Sequence, residues 1–288
     1  MNRLKVETRT LKALKWPIII ILALASLLPF YYMAMLSFIP TQELLTHPGR
    51  FYVPPDQFTL ETYAHVLAPM DQGGQGFGGF MRNSAFVALA TTLLTLLVVI
   101  PAAYAVSRVN FPGRKQVSLL YFGVYLFPAI ILAIPLFVGF SMLGIRESYI
   151  GLIIVYIALT VPVSMHMLRN YLDTVPISLE EAARVDGCTR AQIMMKITLP
   201  LARPTIMSTA LFIFMIAWNE YLFALLFLTA QDNLWTVSLG LAQLSGGIEV
   251  SKTILMAGSV LLTVPIILLY SVAERFLAEG LTAGAEKG

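Results

Sequence analysis

Six stretches of predominantly apolar residues run through this chain, at roughly 16–38, 83–107, 117–142, 149–168, 205–228 and 254–276. A helix needs about 20 such residues to cross the hydrocarbon core of a bilayer, and lipid offers no partner for an open backbone, so helices are the expected form of each stretch. Prolines fall inside several of them (Pro29, Pro101, Pro128, Pro135, Pro162 and Pro265). Membrane bundles tolerate this because neighbouring groups satisfy the freed carbonyls. With 58% hydrophobic and 12% charged residues, the composition excludes an ordinary soluble domain. The expected class is an all-α membrane protein with six transmembrane helices.

Orientation follows from the basic residues. Arg3, Lys5, Arg9, Lys12 and Lys15; Arg108, Arg114 and Lys115; Arg169, Arg184, Arg190, Lys196 and Arg203; and Arg275 and Lys287 share one side, which is 15 of the 19. Arg50, Arg82, Arg146 and Lys252 lie on the other. Positive loops stay in the cytoplasm, so both termini are expected there. The first apolar run is too long for a signal peptide and lacks a small-residue cleavage site, so an uncleaved span is expected. The outer face then carries residues 39–81, with a short helix at 58–67 and a flexible Gly-rich linker at 72–79. Residues 144–148 form a tight outer turn. A polar outer loop at 229–253, containing Gly246-Gly247, is long enough to touch an external partner. Small residues such as Ala103, Gly139 and Ala257 suit close helix contacts.

Nothing resembles a catalytic constellation. Gly-Gly-Gln-Gly-Phe-Gly-Gly at 73–79 is followed by no Gly-Lys-Ser, so the chain carries no phosphate loop. His47, His65 and His166 have no ligand at metal spacing, and the single Cys188 excludes an intrachain disulfide and a thiolate cluster. No metal or cofactor is expected in this chain, nor nucleic acid as a partner. One carboxylate stands at membrane depth, Glu220, beside Trp218, Asn219 and Tyr221. It either faces a translocation path or pins helices together.

The longest charged segment between spans, 178–204, reads as two short helices in a cytoplasmic hairpin. Ser178 with Glu181 and Thr189 with Gln192 each form a capping-box pattern. Gly187 suits the left-handed residue that ends a helix, and Pro200 is expected to end the second one. Small Ala182 and Ala183 with apolar Ile197 and Leu199 suit insertion into a groove on another protein.

Glu181-Ala182-Ala183, Asp186-Gly187, nine further residues, Ile197 and Leu199-Pro200, with Leu201 and Pro204, resemble the EAA loop of ABC importer permeases. The stretch Ala-Ala-Tyr-Ala-Val-Ser-Arg-Val-Asn-Phe-Pro at 102–112, the Trp218-Asn219-Glu220 element and the terminal Gly280–Ala285 are similar to MalG-type sugar permeases. The resemblance covers almost the whole chain and implies a type I importer permease fold in the bacterial inner membrane. Its implied parts are an N-terminal segment, span and outer loop at 1–80, a five-helix permease core at 81–277 and a cytoplasmic tail at 278–288. The hairpin would couple to an ATPase through Glu181, Ala182, Ala183, Asp186, Gly187, Ile197, Leu199 and Pro200. The implied partners are a MalF-type permease chain in a heterodimer, two ATP-binding subunits that hold ATP and magnesium, and an extracytoplasmic solute-binding protein. The cargo would be a sugar or sugar-like solute. A secondary carrier or channel would show inverted repeats or paired intramembrane charges, and a membrane enzyme would show convergent catalytic groups. Neither pattern is evident.

Overall fold

The computed structural model describes residues 2–47, 49, 51–246 and 251–285, and among them there is helix and turn but no strand. Two compact units emerge, Met1–Phe77 with Gln243–Leu261, and Gly78–Ala242 with Leu262–Gly288. Among the described residues four helices are long and apolar enough to cross a membrane, or up to six if each of two sharply bent pairs counts as one span.

The first unit begins with α1 (Asn2–Ser37), whose apolar stretch is almost wholly uncovered by protein. Its C-terminal end is the exception. Met35, Leu36 and Ile39 are buried against Tyr32, Leu44, Val53 and Met256. Ser37 shares a 2.7 Å hydrogen bond with Tyr63, and Phe38 stacks on Phe58. These contacts seat the short helices α2 (Thr41–Thr46) and α3 (Glu61–Leu67) on the end of α1. The Gly-rich piece expected to be a flexible linker is instead an ordered turn. Gly73 and Gly76 take left-handed backbone angles, Gly76 N–H donates to Ala68 O at 2.8 Å, and a Cβ at Gly74 would sit 2.2 Å from that same carbonyl oxygen.

In the second unit, α4 (Phe77–Arg108) and α7 (Tyr149–Thr174) carry the core. α7 is the most enclosed of the apolar helices, packing against α5 (Arg114–Tyr125), α11 (Arg203–Asn219) and α12 (Leu222–Leu228). A buried Thr95–Thr160 hydrogen bond links α4 to α7, a polar contact of the kind that holds helices together where apolar burial gives no drive. The third expected span is bent. α5 stops at Tyr125, Pro128 caps α6 (Ala129–Met142), and the two diverge by 95°. The cause is local: Pro128 has no N–H to continue the ladder, and its ring disfavours helix at the preceding residue. The tight turn at 144–148 forms as expected, with Gly144 left-handed and Ser148 capping α7 through Gly151 N–H. A Cβ added at Gly139 would meet nothing within 4 Å, so this glycine is not the close-contact position expected of it.

Part of the segment expected to be a polar outer loop is a helix whose first turn is packed. Val237, Ser238, Leu239 and Gly240, at the start of α13 (Val237–Gly246), are buried. Asn83 donates to the carbonyls of Asn233 and Trp235, and Ser84 Oγ accepts from Val237 N–H, so polar groups on the first turns of α4 hold this segment down. Gly247 lies outside the described residues. A Cβ at Gly240 would lie 2.3 Å from the Phe80 ring. Gly240→Ala is therefore expected to destabilise by about 1–3 kcal/mol through overpacking, whereas Gly139→Ala should be neutral or stabilising. Thermal unfolding of the detergent-solubilised chain checks this, and equal melting temperatures for the two variants would refute it.

Candidate functional site: the helical hairpin and its buried ion pair

Helix α8 (Ile177–Val185) follows α7 after a two-residue break, Val175-Pro176. Pro176 is its N-cap, so the helix begins at Ile177 and Ser178 lies inside the first turn. The Ser178–Glu181 capping box is thus absent. Glu181 is exposed and has no side-chain partner among the described residues. The other end closes as expected. Gly187, at φ 82°, donates to Arg184 O, and Cys188 N–H reaches back to Ala183 O at 3.0 Å. This pair of bonds is a Schellman motif, which satisfies carbonyls a helix end would leave free. Thr189 and Gln192 form the second capping box as expected, starting α9 (Arg190–Ile193).

The second helix ends at Leu201, one residue past Pro200. Helical backbone continues through a π turn at Met194–Thr198 and α10 (Leu199–Leu201), and the chain bends by 78° between Leu201 and α11. A proline withholds one hydrogen bond and its ring pushes against the preceding turn. The widened π turn directly before Pro200 is where the ladder absorbs that misfit.

The side chain that fixes this hairpin is Glu180, one residue before the glutamate that the motif singles out. Its side chain is 1% exposed and its Oε1 lies 2.8 Å from Arg108 Nε, itself 7% exposed. Tyr104 donates its hydroxyl to Oε2 at 3.1 Å, and Thr198 donates to Oε1 at 3.2 Å. Arg108 Nη2 also donates to Leu172 O (2.6 Å) and Val175 O (2.7 Å), carbonyls at the end of α7. One ion pair thus ties together the end of α4, the end of α7, α8 and the π turn. Beneath it lies an apolar cluster that includes Val99, Ala103, Met165, Leu168 and Ala202.

With Glu180 and Ala183 facing inward, the opposite side of the hairpin is uncovered. Val185 is 88% exposed, and Ile177, Leu179 and Met195 are also open. Of the residues read as coupling positions, Ala183 is buried, Ile197 and Leu199 are half-buried, and Glu181, Ala182, Asp186, Gly187 and Pro200 are exposed.

The Trp218–Tyr221 element sits apart from the hairpin, at a break in the fifth expected span. Glu220 terminates α11, and its carboxylate accepts from Phe223 and Ala224 N–H at 3.0–3.2 Å, capping α12. Tyr156 on α7 donates to it at 2.7 Å, and the Glu220 carbonyl accepts from Ser238. Trp218 is buried and donates to Leu262 O. Both side chains therefore pin helices. Asn219 and Tyr221 are exposed beside the break. A helix interrupted at membrane depth leaves backbone groups to be satisfied, and the Glu220 carboxylate satisfies two of them.

Comparison with known proteins places this architecture. Residues 98–282 match the family described as binding-protein-dependent transport system inner membrane component. The chain belongs to that family. It is similar to the inner membrane ABC transporter permease protein YcjP of Escherichia coli K12, 38% identical over 91% of this chain and 92% of that protein. It is also similar to the trehalose/maltose transport system permease protein MalG of Thermococcus litoralis, 37% identical over 93% of this chain and 94% of the relative. The fold resembles a chain of a bacterial ABC transporter involved in the import of the acidic polysaccharide alginate, with a TM-score of 0.78 at 24% identity, covering 93% and 97% of the two chains. For a transport permease of this family no catalytic centre is required, and among the described residues no cluster of three metal-ligating side chains exists. Arg108, Glu180 and Glu220 all lie within the matched segment.

Sequence reading missed Tyr104, Arg108, Glu180 and Thr198 as a unit. Removing one partner of a buried pair leaves an uncompensated charge, at a cost of about 3–5 kcal/mol. Arg108→Ala and Glu180→Ala should each destabilise on that scale, and the double variant by clearly less than their sum. Thermal or denaturant unfolding in detergent gives the cycle, and additive losses would show that the two side chains are not coupled.

Proposed function

We propose that this chain is the permease subunit of an ATP-driven importer for a sugar or sugar-like solute, and that α8–α10 form the cytoplasmic element through which a separate ATPase drives it. The observation that carries this reading is the two-sided hairpin. Its inner side is locked to α4 and α7 by Arg108–Glu180, and its outer side presents Val185, Leu179 and the unpartnered Glu181. Such an element moves as a rigid body with the spans when a partner grips its outer side. A helix with exposed apolar and small residues suits a groove. Glu181 would meet a basic residue of the ATPase, and Gly187 would set the angle between the helices.

The remaining parts of the assembly follow from the family. Two ATP-binding subunits would hold ATP and magnesium, a MalF-type chain would complete a heterodimeric pore, and an extracytoplasmic binding protein would deliver the solute. Both termini would lie in the cytoplasm of a bacterium, with six membrane crossings. The names of the relatives support the cargo class: trehalose/maltose for MalG, trehalose for SugB of Mycobacterium tuberculosis and sulfoquinovosyl glycerol for SmoH of Agrobacterium fabrum. Asn219 and Tyr221, exposed at the α11–α12 break, are the side chains of that element placed to meet a translocating solute.

In proteoliposomes containing the full complex, Glu181→Lys, Val185→Asp and Gly187→Pro are each expected to lower ATP-dependent uptake by about tenfold, the scale of a lost interface anchor, with unchanged insertion. The ATPase subunit should co-purify in reduced yield. Normal uptake with all three variants, or uptake that proceeds without ATP, would overturn the reading. Thermal-shift screening of the cognate binding protein against trehalose, maltose and sulfated or phosphorylated sugars would fix the solute.

A further inference from the structure

At the start of α5 lies a cup of about 430 Å³ bordered by Gly113, Arg114, Lys115, Gln116, Ser118 and Arg169. Its charges are under-compensated. Arg114 is held by two neutral acceptors, Asn110 Oδ1 (3.1 Å) and Ser107 O (3.0 Å). Lys115 is exposed and has no ion-pair partner among the described residues. Arg169 uses one terminal nitrogen on Ser118 and Tyr121, while its Nε, buried without a hydrogen bond, stands 3.5 Å from Asp173. Three cations therefore face one carboxylate, which already accepts from Ser107 at 2.6 Å.

Gln116 also borders a second hollow of about 650 Å³ that runs along α5 past Leu120, Gly123 and Val124 to Phe127. This hollow is apolar along its length. Leu119, Leu120 and Val124 lie open on the face of α5 turned away from α7. A basic cup thus continues directly into an apolar groove at the end of a helix long enough, with α6, to count as a membrane span.

We propose that this composite site binds an anionic phospholipid, with the phosphate in the Arg114–Lys115–Arg169 cup and an acyl chain along the α5 groove. The charge sequence decides the occupant. A free anion would have no use for the groove, and an apolar helix would leave the cup uncompensated, whereas a phospholipid matches both in the order in which they occur. Basic pockets of this kind at the cytoplasmic ends of spans recognise anionic head groups. Gln116 adds a neutral donor for phosphate or glycerol oxygens.

The test uses the full transport complex extracted from nanodiscs of phosphatidylcholine with phosphatidylglycerol, followed by native mass spectrometry of retained lipid. Phosphatidylglycerol should be retained in preference to phosphatidylcholine. Lys115→Gln, at an exposed and unpaired position, should lower that retention about fivefold, as should Arg114→Gln. Gly123→Leu places a side chain in the groove, where an added Cβ meets nothing within 4 Å, and should displace the lipid without lowering the melting temperature. Equal retention of the two lipids, or unchanged retention with Lys115→Gln and Gly123→Leu, would overturn the proposal. So would release of phosphatidylglycerol by excess inorganic phosphate, which would identify a free-anion site. Cross-linking of the partner permease to Gly123→Cys within the assembled complex would also overturn it, assigning the groove to a protein interface.

Discussion

The buried contact between Arg108 and Glu180 is the constraint on which the hairpin end of this permease depends. Two charges removed from water repel the fold unless every donor and acceptor around them is filled. Here Tyr104, Thr198 and the terminal carbonyls of α7 fill them. The consequence is geometric. A guanidinium fork has fixed donor directions, so the ends of α4 and α7 and the roll of α8 are specified together. With the carboxylate turned inward, Val185 and Leu179 must turn outward.

A second carboxylate works differently. Glu220 binds backbone N–H groups and a tyrosine rather than a cation, and its effect is to permit a break in a helix at apolar depth. Arg108–Glu180 makes a joint rigid, whereas Glu220 makes an interruption tolerable. Ionisable residues at membrane depth carry functional weight by default, yet the contacts of Glu220 are those of a helix cap and a pin.

Much of the fold was legible in the sequence because its signals are local. Apolar length located the four long apolar helices, and glycine and cap patterns located the Gly187 turn, the Thr189–Gln192 box and the turn before α7. The failures share a cause. Whether Glu180 or Glu181 faces inward depends on helical phase, and that phase was set by Pro176 starting the helix earlier than Ser178 would have. The pairing of Glu180 with Arg108 spans 72 residues, and in the sequence Arg108 counts only as one more positive charge. A clue was present, since Glu180 and Ala183 are three apart and share a helix face. The packed start of α13 was missed for a similar reason. Its polar composition reads as a loop until Asn83 and Ser84 are seen to receive it.

The wiring of the clamp also bears on the order in which the protein is made. Apart from Thr198, every group that holds Glu180 or its arginine precedes it in the chain: Tyr104, Arg108, Leu172 and Val175. Domains begin to fold from the N-terminal side while synthesis continues. The ion pair can therefore close while α11 and everything after it are still on the ribosome, and each remaining apolar helix then enters the membrane beside a joint already set. A buried charge that had to wait for the last helix would spend that interval unpaired in a half-built bundle. This chain avoids that exposure by placing the arginine first.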